Sequence, residues 1–393
     1  MHRIDTPSRQ LAKFGAGKDG YTNGTPGITP PTETDDEAFD AFQEEILAPI
    51  EALGIAPVKG TNTQLCKALT YLFGRLAIMN FAEVANAKNI ELRGIAYDGT
   101  GTLVAVGVAD GADAYILYSL DYGLTWTEAA NAKNKNLYGV AYGNGVFVAV
   151  GQEDGVDAYI VTSPNGAAWT ERANPKNFRL ESVVYATSLG LWVAVGLADG
   201  TDAYVVTSAD NGVTWIERAN PKNFGLYGVA YYNGLLVAAG AGDGVDTYII
   251  TSINGTAWAE QAPTVPKNIS MQGVAHGNGL WVIVGVNDGG DAYILTSSNG
   301  TTWTERTNPV AGSLRAVCYD VGGPWLAVGD VFGADVYMLI SGDGITWTEV
   351  KTGPKAVADL LGVVALPGLW ISVGEADGVD AYLVRSLQVP VIP

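Results

Sequence analysis

Val148-Ala149-Val150-Gly151-Gln152-Glu153-Asp154-Gly155-Val156-Asp157-Ala158-Tyr159-Ile160-Val161-Thr162-Ser163-Pro164-Asn165-Gly166 is one copy of a pattern that recurs along most of the chain. Its Asp-Ala-Tyr, or a near match, begins at Asp113, Asp157, Asp202, Asp246, Asp291, Asp335 and Asp380, at intervals of 44, 45, 44, 45, 44 and 45 residues. Six residues before each of these Asp stands a Gly that ends an apolar run, as at Gly107, Gly196 and Gly374. A fixed period of this length marks a repeat architecture. Within the copy, Leu137–Tyr142, Phe147–Gly151, Ala158–Thr162 and Trp169–Arg172 read as strands, separated by Gly, Asn and Asp turns.

Four short strands repeated seven times predict a mainly β chain, a seven-bladed β-propeller of four-stranded blades. The last copy has only three strands, at Leu360–Ala365, Trp370–Gly374 and Ala381–Arg385. Phe81-Ala82-Glu83-Val84 aligns with Trp169-Thr170-Glu171-Arg172 and lies 45 residues before Trp126, in phase with the repeat. An N-terminal strand at Phe81 is therefore expected to complete the last blade and close the ring, which removes open sheet edges.

Six turns carry a box of Ser, Asp or Asn, Gly and Trp. Its acids and amides are Asp121, Asn165, Asp210, Asn254, Asn299 and Asp343; its indoles are Trp126, Trp169, Trp215, Trp258, Trp303 and Trp347. The side-chain oxygen is suited to cap backbone N–H groups of the turn, Gly to take a positive φ, and Trp to pin the hairpin. The pattern resembles the Asp-box repeat of sialidases and related propellers, over roughly residues 81–386. That resemblance implies fold, because the box is not catalytic in that family.

The chain has 393 residues, 48% apolar and 16% charged, with a formal net charge of −19 from 41 acidic and 22 basic groups. This excludes a disordered chain and argues against nucleic-acid and anionic-membrane partners. Cys66 and Cys318 are the only cysteines, so no disulfide framework or zinc site is expected. Cys318 is expected to be buried in a strand. The start has no apolar core of a secretory signal, and no stretch reads as membrane-inserted.

No catalytic residue, cofactor or metal is assigned. Arg172, Arg218 and Arg306 occupy one repeated position and read as structural. Arg93 and Arg315 lie outside the repeat pattern on first strands, and are the binding candidates for the central channel. The recurrent Tyr97, Tyr142, Tyr185, Tyr231 and Tyr319, with His276 in the same slot, read as packing. Asp pairs such as Asp110/Asp113 and Asp154/Asp157 offer carboxylates for calcium, or simply cap turns. On the same face, Lys88, Lys133, Lys176, Lys222, Lys267 and Lys355 are expected to pair with these Asp across blades. The sixth copy lacks both partners, with Val310 and Phe332 in their places.

Residues 1–80 do not repeat. Residues 1–34 read as an extended attachment segment and 35–77 as two helices with apolar stripes, the first stopped by Gly54; the propeller takes 78–393. Met1-His2-Arg3-Ile4-Asp5-Thr6-Pro7, Lys13-Phe14-Gly15-Ala16-Gly17-Lys18, Phe42-Gln43-Glu44-Glu45-Ile46, Ile50-Glu51-Ala52-Leu53-Gly54-Ile55 and Asn62-Thr63-Gln64-Leu65 resemble the N-terminal region of tailed-phage and prophage tail fibre proteins. The resemblance implies attachment to tail or baseplate proteins through residues 1–77, a homotrimer, and a place in the virion tail after assembly in the host cytoplasm. The propeller is then expected to bind a host surface receptor, a glycan being the expected class. A tail-borne glycoside hydrolase and a structural baseplate or collar component are the alternatives.

Overall fold

The structure is a computed structural model that describes residues 81–309, 311–332, 335–350 and 358–386. The expected extended segment, both expected helices, Val310 and Lys355 lie outside the described residues, as do the side chains of Phe332 and Asp335.

Among the described residues, twenty-eight strands form seven four-stranded antiparallel sheets. Strand β2 (Leu92–Tyr97) is innermost in the first blade, followed outward by β3 (Leu103–Ala109), β4 (Ala114–Ser119) and β5 (Thr127–Glu128). The order repeats through the sixth blade. The seventh combines β26 (Leu360–Leu366), β27 (Leu369–Ala376) and β28 (Ala381–Ser386) with β1 (Phe81–Glu83). Phe81 pairs with Ser386, Ala82 with Arg385 and Glu83 with Val384, so the ring closes through the first described strand. Fourth strands are shorter than the repeat suggests: β9 is Thr170–Arg172 and leaves Trp169 in the turn, where its indole can reach the box glycine.

The core lies between blades. One apolar cluster joins Val104, Val106 and Ile116 of the first blade to Leu137, Phe147 and Tyr159 of the second. Another joins Ile371 and Leu383 of the seventh to Leu103 and Tyr115 of the first, so the closing interface is built like the others. The Tyr of each Asp-Ala-Tyr is fully buried, at Tyr115, Tyr159, Tyr204, Tyr248, Tyr293, Tyr337 and Tyr382. At roughly 25 cal/mol per Å2, a ring of about 200 Å2 contributes about 5 kcal/mol before entropy is counted. Cys318 is in a strand as expected but half-buried, because it faces the edge of the cluster between blades six and seven.

The Gly that ends each second strand explains the geometry of the inner rim. A Cβ on Gly107, Gly151, Gly196, Gly240, Gly285, Gly329 or Gly374 would collide with the carbonyl oxygen of the residue just before the first strand. The next N–H along donates to that same oxygen, for example Val108 to Glu91 at 3.0 Å and Glu375 to Asp359 at 3.0 Å. The result is a β-bulge at the second residue of all seven innermost strands, seen as a register shift between Leu92 and Gly94 and its six equivalents. The residue after the bulge is small. A Cβ on Gly139 would stand 2.7 Å from the Glu181 carbonyl, so neighbouring inner strands meet backbone to backbone.

Candidate functional site

One face carries the loops between second and third strands and the loops between blades. Here the conserved period does structural work. Lys176 Nζ lies 2.7 Å from Asp199 Oδ2 and 2.5 Å from Glu217 Oε1 of the following blade. Lys88 with Asp110 and Glu128, Lys133 with Asp154 and Glu171, Lys222 with Asp243 and Glu260, and Lys267 with Asp288 and Glu305 repeat the clasp. The expected Lys–Asp pairing is present in these five places; the Glu partner was not anticipated. The carboxylates of Asp110, Asp154 and Asp243 are held down at about 2, with the Lys88 hydrogen bond the leading cause for Asp110. Sets such as Asp154, Asp157 and Glu171 have carboxylate oxygens close enough together for a metal ion. In the clasps the lysine ammonium supplies that positive charge from within the chain.

The second Asp of five loops, Asp113, Asp157, Asp202, Asp291 and Asp380, and the buried Tyr of the next blade form a latch; at Asp246 the Asn is replaced by Pro263, and Tyr293 donates to the Val265 carbonyl instead. Asn174 N–H donates to Asp157 Oδ2 at 2.9 Å, and Asn174 Nδ2 donates to the Ala158 carbonyl at 2.5 Å. Tyr204 of the next blade donates to Asn174 Oδ1 at 2.7 Å and accepts from Lys176 N–H at 3.0 Å. Asn86, held by Asp380 and receiving Tyr115, makes the same link across the closure.

The opposite face carries the boxes. Ser119 Oγ donates to Asp121 Oδ1 at 2.8 Å, Gly123 N–H donates to Ser119 Oγ at 2.9 Å, and Thr125 N–H donates to Asp121 Oδ1 at 2.9 Å. Asn165, Asp210, Asn254, Asn299 and Asp343 each take the bond from the box Ser. The Trp126, Trp169, Trp215, Trp303 and Trp347 indoles donate to the box Gly carbonyl; Trp258 Nε1 has no partner. Gly123 has φ 80°, and a Cβ there would strike Ile371 of the preceding blade, so the turn needs Gly twice over. Arg172, Arg218 and Arg306 each donate through Nε to a third-strand Thr hydroxyl, at 2.7–2.9 Å, in line with their structural reading. Tyr142, Tyr185 and Tyr319 pack on Phe147, Trp192 and Trp325, and His276 stacks on Tyr232 at 3.6 Å between ring centres.

The symmetry breaks at the bulges. The seven equivalent residues are Arg93, Tyr138, Glu181, Tyr227, Gln272, Arg315 and Leu361, on the loop face where the first strands begin. Both sequence candidates, Arg93 and Arg315, are therefore in this ring, in blades one and six. Arg93 Nε lies 2.5 Å from Glu91 Oε1, and its guanidinium carbon is 5.0 Å from the centre of the Tyr138 ring. Arg179 stands 4.4 Å from the same ring and is bound to Glu181. Tyr138 is thus flanked by two guanidinium groups and is 9% exposed. Burial pushes the Glu181 carboxyl above its ordinary range despite Arg179 and Arg93, and it lifts Tyr227 as well. Arg315 grips Asp330 with two bonds, at 2.6 and 3.0 Å. Glu375 is raised by burial and by Asp359, Glu91 and Asp330. No nucleophile–base pair is assembled among these groups. Arg179, Glu181, Tyr138, Tyr227 and Gln272 were missed as site residues. Aligning the seven copies on the residue after Leu92, Leu137, Leu180, Leu226, Met271, Leu314 and Leu360 shows that this column does not repeat, with cationic, anionic, aromatic, amide and aliphatic members.

No protein-family model matches the chain. It is 51% identical over 73 residues to "Uncharacterized protein StfP" of Escherichia coli (strain K12), which is 18% of this chain and 35% of that protein. The match thus spans about a third of that relative's length. Among solved structures, "YCF48 bound to D1 peptide" superposes with a TM-score of 0.59 at 14% identity, covering 78% of this chain and 96% of that one. "YCF48 from Cyanidioschyzon merolae" gives 0.58 at 13%, covering 78% and 98%. At such identities the likeness is one of fold alone, and the fold is a seven-bladed β-propeller of four-stranded blades.

Proposed function

We propose that the chain is a tail fibre protein of a phage or prophage, attached through its N-terminal segment, whose propeller binds a receptor on the host surface. The observation that carries this reading is the contrast between the two parts. A 73-residue stretch is half identical to a bacterial protein, whereas the propeller finds its likeness in fold only, at 13–14% identity. A match of that length fits the non-repeating residues ahead of Phe81, where the tail-fibre motifs lie. One shared attachment segment joined to an unrelated head is what an exchangeable binding module requires. The closed ring, with its edges paired, is a rigid scaffold that leaves both faces free for loops. A glycan is the proposed receptor class, and attachment as a trimer through residues 1–77 is part of the same reading. Particles from the encoding phage, probed with gold against a tagged full-length chain, should label at the tail. Labelled chain recovered only free of particles would overturn the proposal.

A further inference from the structure

We propose that the channel mouth on the loop face is the ligand site of the propeller, and that it takes a neutral, hydroxyl-rich saccharide rather than an anionic one. This rests on the receptor-binding reading above and assigns it a face, residues and a charge class.

The face follows from where the sevenfold symmetry breaks. Among the described residues the recurrent Lys and Asp of the loop face are spent on five clasps, whereas the bulge ring holds five residue types in its seven positions. Architecture must repeat; recognition has no such need.

The ligand class follows from charge and group type. The residues where first strands begin and second strands end carry Arg93, Lys135, Arg179 and Arg315 against Glu91, Glu153, Glu181, Asp330, Asp359 and Glu375, four cations to six anions. The three guanidinium groups are already engaged by Glu91, Glu181 and Asp330. An anion would meet a net negative rim in which, among the described residues, Lys135 alone of the four cations has no carboxylate partner. Half-buried Tyr227, with Glu181 and Arg179 as its charged neighbours, and half-buried Gln272 offer planar donors and acceptors. Sugar hydroxyls both donate and accept, so they can replace water on such groups without bringing charge.

The test uses the full chain, fluorescently labelled, on an array of neutral hexose oligosaccharides beside oligosaccharides bearing carboxylates or phosphates, and on cells of the host. Gln272→Ala and Tyr227→Ala are the mouth variants. Leu124→Ser, in an exposed box position, is the opposite-face control. All are first checked for an unchanged far-UV spectrum. The expected result is retention on a neutral oligosaccharide, a loss of at least tenfold for both mouth variants, and a change under twofold for Leu124→Ser. Retention only on acidic members, or wild-type binding by both mouth variants, overturns the site. If those variants adhere to cells as well as the wild type while the chain is in virions, the mouth falls and the tail-fibre reading stands. A chain absent from virions removes that reading whatever the mouth binds.

Discussion

Asp320→Asn should stabilise the propeller at neutral pH. Asp320 directly follows the innermost strand of the sixth blade (Leu314–Tyr319) and is 7% exposed. One carboxylate oxygen accepts the Gly368 N–H of the seventh blade at 3.2 Å, and no cation stands beside it. Burial raises the carboxyl from its ordinary 3.8 to about 6. A raised acid penalises the folded state once it ionises. The shift of about two units, at 1.36 kcal/mol per unit, corresponds to about 3 kcal/mol at pH 7. The penalty is absent below the unfolded value near 4, where the group is protonated in both states. Asn keeps an oxygen for Gly368 and never ionises. With about 2.1 cal/mol/K per residue over roughly 300 residues, 2–3 kcal/mol becomes about 3–5 °C if the ring melts as one unit. Scanning calorimetry of both proteins from pH 4 to pH 8 reads this directly. Asp320→Asn should melt higher at pH 7, with the advantage shrinking to near zero at pH 4. Equal differences at both values, or a larger advantage at pH 4, would refute the reasoning.

Two further outcomes test the ring itself. Tyr204→Phe strips the hydroxyl that joins Asn174 to Lys176 N–H and should cost about 0.5–1.5 kcal/mol, because two half-buried partners lose their bond without loss of volume; denaturant melts check it. Removing residues 1–83 should leave β28 as an open edge and produce oligomers by light scattering, whereas a chain beginning at residue 78 stays dispersed. The clasps add an acid limit. Asp110, Asp154 and Asp243 are depressed to about 2, so their contribution is complete above about pH 4 and is lost as pH falls towards 2. Thermal melts below pH 4 should fall steeply, and Lys133→Met should flatten that fall.

The fold was legible because its determinants repeat. Asp157, Tyr159 and Gly151 each return at a fixed interval, and each was found making the same contact in blade after blade. The clasp was legible in half: Lys133 and Asp154 sit in loops that topology sends to one face. Glu171 sits on a short outer strand, and only the coiling of the blade brings it to the same ammonium. Arg93 and Arg315 stood out as unrepeated arginines on inner strands. The rest of the mouth stayed hidden because the bulge after Leu92 breaks the two-residue alternation from which side-chain direction is read. A site whose seven positions hold five residue types in no regular order also leaves no internal pattern to find.

The central claim is that this chain carries a host-recognition head. Its most direct measurement is competition for adsorption: cells of the host are preincubated with purified full-length chain, then challenged with the encoding phage. Adsorption should fall in proportion to chain bound, and Gln272→Ala and Tyr227→Ala should compete at least tenfold less well. Undiminished adsorption at saturating wild-type chain would contradict the claim.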